Sequence, residues 1–309
     1  MTLIQPPMMT NGGTHPARTM RMMIRDLSRG AQGVTEFNDL KVTQQTTPGA
    51  GVQVGDGSGV IRGFAWGQGS YTQYNVGTAL VHVAPTGATP RTDMVVLRVL
   101  DPEYEGSLNP ATDDIGFFDV VSNVSSTATQ PPAGMTAIPL ARIALPANCA
   151  TVTDAMITDL RQIANPRRDR QLYTAFPAAL SELTYSDNQW RTWPAPAKWS
   201  IAVPSWAVSA KIVTTIAGLR LTVADVYAKM HQVFGTVQGQ DTAIDDDQGA
   251  NTRRNTIVLA DSLSIPAAMR GTVQNLYLQT YMSTSETGNL GVDAATSLIA
   301  DVEFQEGVV

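Results

Sequence analysis

The segment Ser297-Leu298-Ile299-Ala300-Asp301-Val302-Glu303-Phe304-Gln305 places Leu298, Ala300, Val302 and Phe304 at every second position, with more polar neighbours between them. A period of two is the mark of a strand with one buried and one wet face. Working outward, further strands are predicted at 200–203, 210–216, 226–234, 256–260, 262–265 and 273–282. Seven or more short strands divided by turns point to a β-sandwich, and a jelly roll is the preferred topology for residues 199–309. Ile201-Ala202-Val203-Pro204 and Leu263-Ser264-Ile265-Pro266 form a weak internal echo, as two Greek-key halves would.

Composition supports a mainly β chain. Of 309 residues only 16% are charged, while there are 25 glycines and 18 prolines; that balance favours many short strands and tight turns. The length predicts two domains, each able to bury a core. A net charge of −6 argues against duplex nucleic acid as a partner. The single cysteine, Cys149, leaves no intramolecular disulfide framework. No apolar run is long enough to span a bilayer, and Pro6 and Pro7 stand where a signal peptide would have its apolar centre, so no membrane insertion and a cytoplasmic origin are expected.

The first half reads as a β-rich domain with two short helices. Residues 1–13 lack periodicity and are expected to form a flexible arm. Thr14 is the expected N-cap of a helix, with Pro16 in its first turn, Met20, Met23, Ile24 and Leu27 on one face, and Gly30 as its stop. Arg18, Arg21, Arg25 and Arg29 form a second stripe, either a solvated face or a set of cations meeting acidic groups of a neighbouring subunit; Arg18, Arg21, Ile24, Arg25 and Leu27 are the candidate interface residues. The run from Asp93 to Leu100 predicts a strand covered on both sides. Ile138 to Pro146 is bracketed by prolines and is expected at a sheet edge. A second helix is predicted after Thr151 or Thr153, with Met156, Ile157, Leu160 and Ile163 or Ala164 inward and Asn165-Pro166 as its end. The basic segment Arg167-Arg168-Asp169-Arg170 marks the domain boundary and opens a linker over 167–198.

The order Pro16-Ala17-Arg18, Leu40-Lys41-Val42-Thr43, Val52-Gln53-Val54, Val60-Ile61-Arg62-Gly63, Arg91 to Val99, Asp101-Pro102-Glu103-Tyr104-Glu105-Gly106, Ile138 to Ile143 and Ile157 to Arg161 resembles the N-terminal domain of minor tail proteins of long-tailed bacteriophages, especially those of actinobacteria. The resemblance covers about the first 165 residues. It implies a non-enzymatic virion protein of the tail tip or baseplate, assembled in the host cytoplasm. Residues 14–166 would form a tail-attachment domain, and the C-terminal domain would face the host. Its partners would be itself, as a homotrimer, and other tail proteins.

Catalytic chemistry finds little support. His15, His82 and His231 are isolated from one another at any metal-ligand spacing. Ser58 lacks the glycine two positions earlier that a nucleophile elbow requires. No dinucleotide fingerprint or phosphate loop is present, so no catalytic, metal or cofactor residues are assigned. Two acidic groups, Asp101 with Glu103 and Glu105, and Asp241 with Asp245, Asp246 and Asp247, are either solvated loops or oxygen ligands for a cation. Trp190, Trp193, Trp199 and Trp206 fall within one proline-rich stretch. They make either a platform for host-surface glycan or the filling of a seam between domains or subunits. Three classes of function thus stand: a structural tail protein, a carbohydrate-binding adhesin and, last, a polysaccharide hydrolase.

Overall fold

The computed structural model describes residues 7–184 and 187–308. The chain is mainly β, built of antiparallel sheets. It divides into two compact units, Met1–Pro166 with Val308–Val309, and Arg167–Gly307. Residues 1–6 of the expected arm lie outside the described residues.

The first unit opens with helix α1, Ala17–Leu27. Its N-cap is Pro16 rather than Thr14, with no side-chain cap; extended backbone and a missing N–H make proline a tolerable helix entry. At the far end Arg29 and Gly30 take positive φ, and the Gly30 N–H donates to the Arg25 carbonyl, closing the helix in a left-handed turn. Ten strands follow: β1 Gly33–Val34, β2 Val42–Gly49, β3 Gly51–Val54, β4 Gly57–Arg62, β5 Ser70–Asn75, β6 Ala79–His82, β7 Arg91–Val99, β8 Gly116–Val121, β9 Ala137–Leu145 and β10 Ile157–Asp159. They form three antiparallel sheets, β1-β4-β5, β2-β3-β6 and β10-β9-β7-β8. All three contribute to one core that includes Val34, Leu40, Val52, Ile61, Leu97, Leu140 and Ile143. Cys149 is a buried member of it.

Two expectations for this unit are corrected. β9 is not an edge strand, since it lies between β10 and β7. Its register on β7 jumps from Val95↔Ala141 to Val96↔Pro139, so the proline without an N–H falls at a bulge where the ladder skips a residue. The predicted second helix is a 3-10 turn at Asp154–Met156 running into β10, whose Ile157 pairs with Ile143 of β9. Pairing with an existing sheet has overridden a three-and-four spacing too short to nucleate a helix by itself.

The second unit begins where a linker was expected. Residues 167–198 hold β11 Arg168–Ala175, β12 Ser181–Leu183, β13 Trp190–Thr192 and the start of β14 Lys198–Ala202. β15 Ala207–Thr222, β16 Val226–Phe234, β17 Val237–Gln238, β18 Thr242–Asp246, β19 Arg253–Ser264, β20 Val273–Met282, β21 Asn289–Val292 and β22 Ser297–Glu306 complete it. β11 pairs with β22, β14 with β20, β15 with β19 and β16 with β18. Taking the eight strands β11, β14, β15, β16, β18, β19, β20 and β22 in chain order, the first meets the last, the second the seventh, the third the sixth and the fourth the fifth, which is one long hairpin rolled into two sheets. The resulting orders, β11-β22-β15-β19 and β14-β20-β16-β18, are those of a jelly roll. β13 extends the second sheet along β20, and β12 and β21 extend the first beside β15.

The sandwich core follows from alternation. Leu298, Ala300, Val302 and Phe304 of β22 are all buried, as are Val226, Ala228, Met230 and Phe234 of β16. Among the buried polar side chains of this unit, Gln232 donates to the Ile212 carbonyl (3.1 Å) and to Asp261 (2.7 Å), and accepts from the Thr214 hydroxyl (2.7 Å). It ties β16 of one sheet to β15 and β19 of the other, with its hydrogen-bonding groups satisfied.

The basic run at the start of β11 is answered by acids on β22. Arg167 pairs with Glu306, and Arg170 with Asp301 through Nε at 2.9 Å. At Glu306 burial works against ionisation, but the hydrogen bonds from the Arg167 guanidinium and backbone N–H outweigh it and hold the carboxyl below its usual range. Asp301, Asp246 and Asp293 are likewise held low by hydrogen bonds from Arg170, Arg253 and Arg254. In each case the folded value lies below the unfolded one, near 4. Their stabilisation is therefore present above about pH 4 and is lost as the pH falls through the folded values. Thermal unfolding at pH 3 is expected at a lower Tm than at pH 7; an unchanged Tm would contradict this.

Candidate functional site

The expected interface helix is anchored within its own chain. Arg21 donates from Nε to the Gln68 carbonyl (2.9 Å) and from Nη2 to Glu103 (2.6 Å), and its Nη1 lies 3.2 Å from Asp101. Arg18 also pairs with Glu103, and both guanidinium groups lie within 6 Å of the Tyr104 ring centre. The Tyr71 hydroxyl donates to Asp101 (2.7 Å) and accepts from Gln68, which also reaches Thr136. Burial pushes the Tyr71 phenol above its usual range, and the hydrogen bond to Asp101 adds to the shift. Gly69, at φ 80°, lets the turn approach so closely that a Cβ there would lie 2.6 Å from the Arg21 backbone.

For Arg18 and Arg21 these pairings give a third arrangement, an ion-pair network within one chain, beside the solvated face and the neighbouring-subunit readings of the arginine stripe. Arg18 and Arg21 meet acids of the Asp101–Glu105 loop in cis, and Arg98 takes Glu105 (2.6 Å). The first acidic group is thus engaged by arginines. Arg25 lies over Trp66, 5.8 Å from the ring centre. Ile24 is half-buried, while Leu27 is 73% exposed and Met20, about two turns earlier on the helix, is also exposed. In the second acidic group Asp246 pairs with Arg253 and Asp241 with His231. Among the described residues no three His, Cys, Asp or Glu side chains come together as a metal site.

The four tryptophans separate into different environments. Trp193 and Trp199 belong to the sandwich core itself, at 6% and 7% exposure. Their indole N–H groups have no acceptor among the described residues, so they contribute apolar area. Trp206 is partly buried against the same core, with Arg167 over its ring at 5.4 Å. A platform of four is therefore not formed. Trp190 alone keeps substantial exposure, 37%, on the outer face of the sheet that holds β20.

Around Trp190 the outer face is built from residues that sequence reasoning did not connect. Inward positions of β16 end in the core, so His231 points outward, yet it is only 1% exposed because Trp190 covers it. The two ring centres are 4.1 Å apart, and Tyr281 lies 5.6 Å from Trp190. His231 Nδ1 is 2.9 Å from Asp241 and Nε2 is 3.0 Å from the Gln279 side-chain oxygen. The Tyr281 hydroxyl donates to Asn188 (2.7 Å). Register places Trp190 opposite Tyr281, Thr192 opposite Gln279, and Lys198 opposite Tyr277. A cleft of about 260 Å3 on this face is lined by Thr192, Lys198, Asn275 and Tyr277. The outward period of β20, read with its neighbours, was the available signal.

No known family's sequence pattern matches this chain, and no curated protein matches it. Among solved structures, it is similar to the VP2 subviral particle of infectious bursal disease virus at 11% identity, over 91% of this chain and 73% of that one, with a TM-score of 0.26. It is similar at the same identity to the insecticidal delta-endotoxin Cry8Ea1 of Bacillus thuringiensis, over 90% of this chain and 52% of the toxin, with a TM-score of 0.25. Superpositions this weak carry no argument about fold or function. No helix among the described residues is long and apolar enough to cross a membrane.

Proposed function

We propose that this chain is a structural component of a bacteriophage particle, sited at the tail tip or baseplate. Its first unit would attach to the tail and its jelly roll would face the host. The observation that carries the reading is the jelly roll, an architecture used for viral shells and for lectins; this is a fold-level analogy. The order of motifs along the first 165 residues, which resembles that of tail proteins, supports the same assignment. A hydrolase would need two carboxylates working across one bond. Asp101, Glu103 and Glu105 are instead taken up by arginines and Tyr71. Immunogold labelling of purified particles with antibody to the chain is expected to mark the tail end. Absence of the chain from washed particles would reject the reading.

Self-association as a homotrimer belongs to the same proposal. Leu27 and Met20 on α1, with Trp66 at 72% exposure beside Arg25, leave apolar surface for a second copy. Sedimentation at about 10 µM, a range in which ordinary specific complexes are populated, is expected to give three times the 33.0 kDa chain mass. A single 33.0 kDa species would rule out an intrinsic trimer.

A further inference from the structure

We infer that the outer face of the sheet built on β20 is a saccharide-binding site, with Trp190 as its stacking platform and Tyr277 at its far end. The inference goes beyond a place in a particle, because it concerns a ligand that the purified chain would bind whatever assembly it joins.

Three observations converge on it. Trp190 is the most solvent-accessible of the clustered tryptophans, and its ring is already fixed against His231 and Tyr281. His231 is in turn held on both ring nitrogens, by Asp241 and Gln279. An aromatic surface that is rigid before binding loses little side-chain entropy when a ligand stacks on it. Next, Tyr281, Gln279, Tyr277 and Asn275 are successive outward positions on one strand. At about 3.4 Å per residue they form a track on the order of 20 Å long, enough for several linked rings. Last, the cleft at the Tyr277 end has room for several waters at about 30 Å3 each.

The chemistry of the track favours sugar over other ligands. A pyranose offers a C–H face that stacks on an aromatic ring and a rim of hydroxyls that both donate and accept. Asn275, Gln279 and Thr192 are side chains with both capacities. Lys198 and Lys229 are balanced on the same face by Asp241 and Asp245, so the face has no single-sign field that would select a polyanion. A neutral oligosaccharide is the class that fits.

The test uses the full purified chain, titrated calorimetrically with chitotetraose, mannotetraose and an arabinogalactan-derived tetrasaccharide. At least one is expected to bind saturably, with Trp190→Ala weakening it by at least about tenfold, the loss typical of truncating an aromatic anchor. Tyr277→Ala is expected to weaken binding several-fold, whereas Leu80→Ala, which removes an exposed apolar side chain from the other unit, should leave it unchanged. If Trp190→Ala fails to fold, Tyr277→Ala and the cleft-filling Asn275→Trp decide the matter. No response to any of the three sugars up to about 10 mM, or equal binding by folded Trp190→Ala, would overturn the inference. Either result leaves particle labelling, and hence the tail reading, unaffected.

Discussion

Arg161→Ala is expected to destabilise the first unit by about 3–5 kcal/mol, because it removes charge-assisted hydrogen bonds to two backbone carbonyls at about 1.5–3 kcal/mol each. The Arg161 side chain is fully buried. It donates to Asp159 (2.7 Å) and to the backbone carbonyls of Asp39 (2.7 Å) and Phe37 (3.2 Å). Those carbonyls precede Leu40, a fully buried core residue held at φ 54°. One guanidinium thus connects the segment after β10 to the turn before β2. Truncation leaves Asp159 and both carbonyls without that donor. Arg161→Lys should recover only part of the loss, because an ammonium cannot reproduce the planar fork. Hydrogen exchange under mild denaturant should show residues 33–54 opening earlier while residues 207–264 are unaffected. Wild-type protection across 33–54 in Arg161→Ala would refute the assignment.

The second large effect is expected in the sandwich. Phe234 is fully buried, and its ring centre is 6.1 Å from that of Phe304, which comes from the opposite sheet. The pair spans the interior between β16 and β22. Phe234→Ala removes dispersion contacts and leaves a cavity that two hydrogen-bonded sheets cannot easily close, for a loss of about 3–5 kcal/mol. Chemical denaturation should show a lower midpoint at unchanged slope for the unit's transition. A loss below about 1 kcal/mol would mean that the sheets collapse to fill the space.

Much of the second unit was legible because alternation is a strong signal where one face is dry. The strands at 226–234 and 273–282 were read at their observed bounds. β11 was missed for the same physical reason: at the edge of its sheet its residues are mostly exposed, so Arg168-Asp169-Arg170-Gln171 gives no apolar period and reads as linker. The acids at Asp301, Glu303 and Glu306 were the complementary signal, but only the fold brings them opposite. The tryptophans illustrate a limit of composition. Four indoles in one stretch look alike in sequence, yet strand parity sends Trp199 inward and leaves Trp190 outward. His231 could not be joined to Trp190 or Gln279 before the register of β13, β16 and β20 was known.

The position of β22 has a consequence for how the molecule is made. It runs between β11 and β15, in the middle of its sheet, yet it is the final strand of the eight to leave the ribosome. Until it emerges, the hydrogen-bonding edges of both neighbours are open and Phe234 has no Phe304 to meet. At roughly 5–20 residues per second, synthesis of the unit keeps those edges bare for several seconds. A chain stopped before Ser297 is therefore expected to aggregate rather than to fold as a smaller domain; recovery of that truncation as a folded monomer would contradict this.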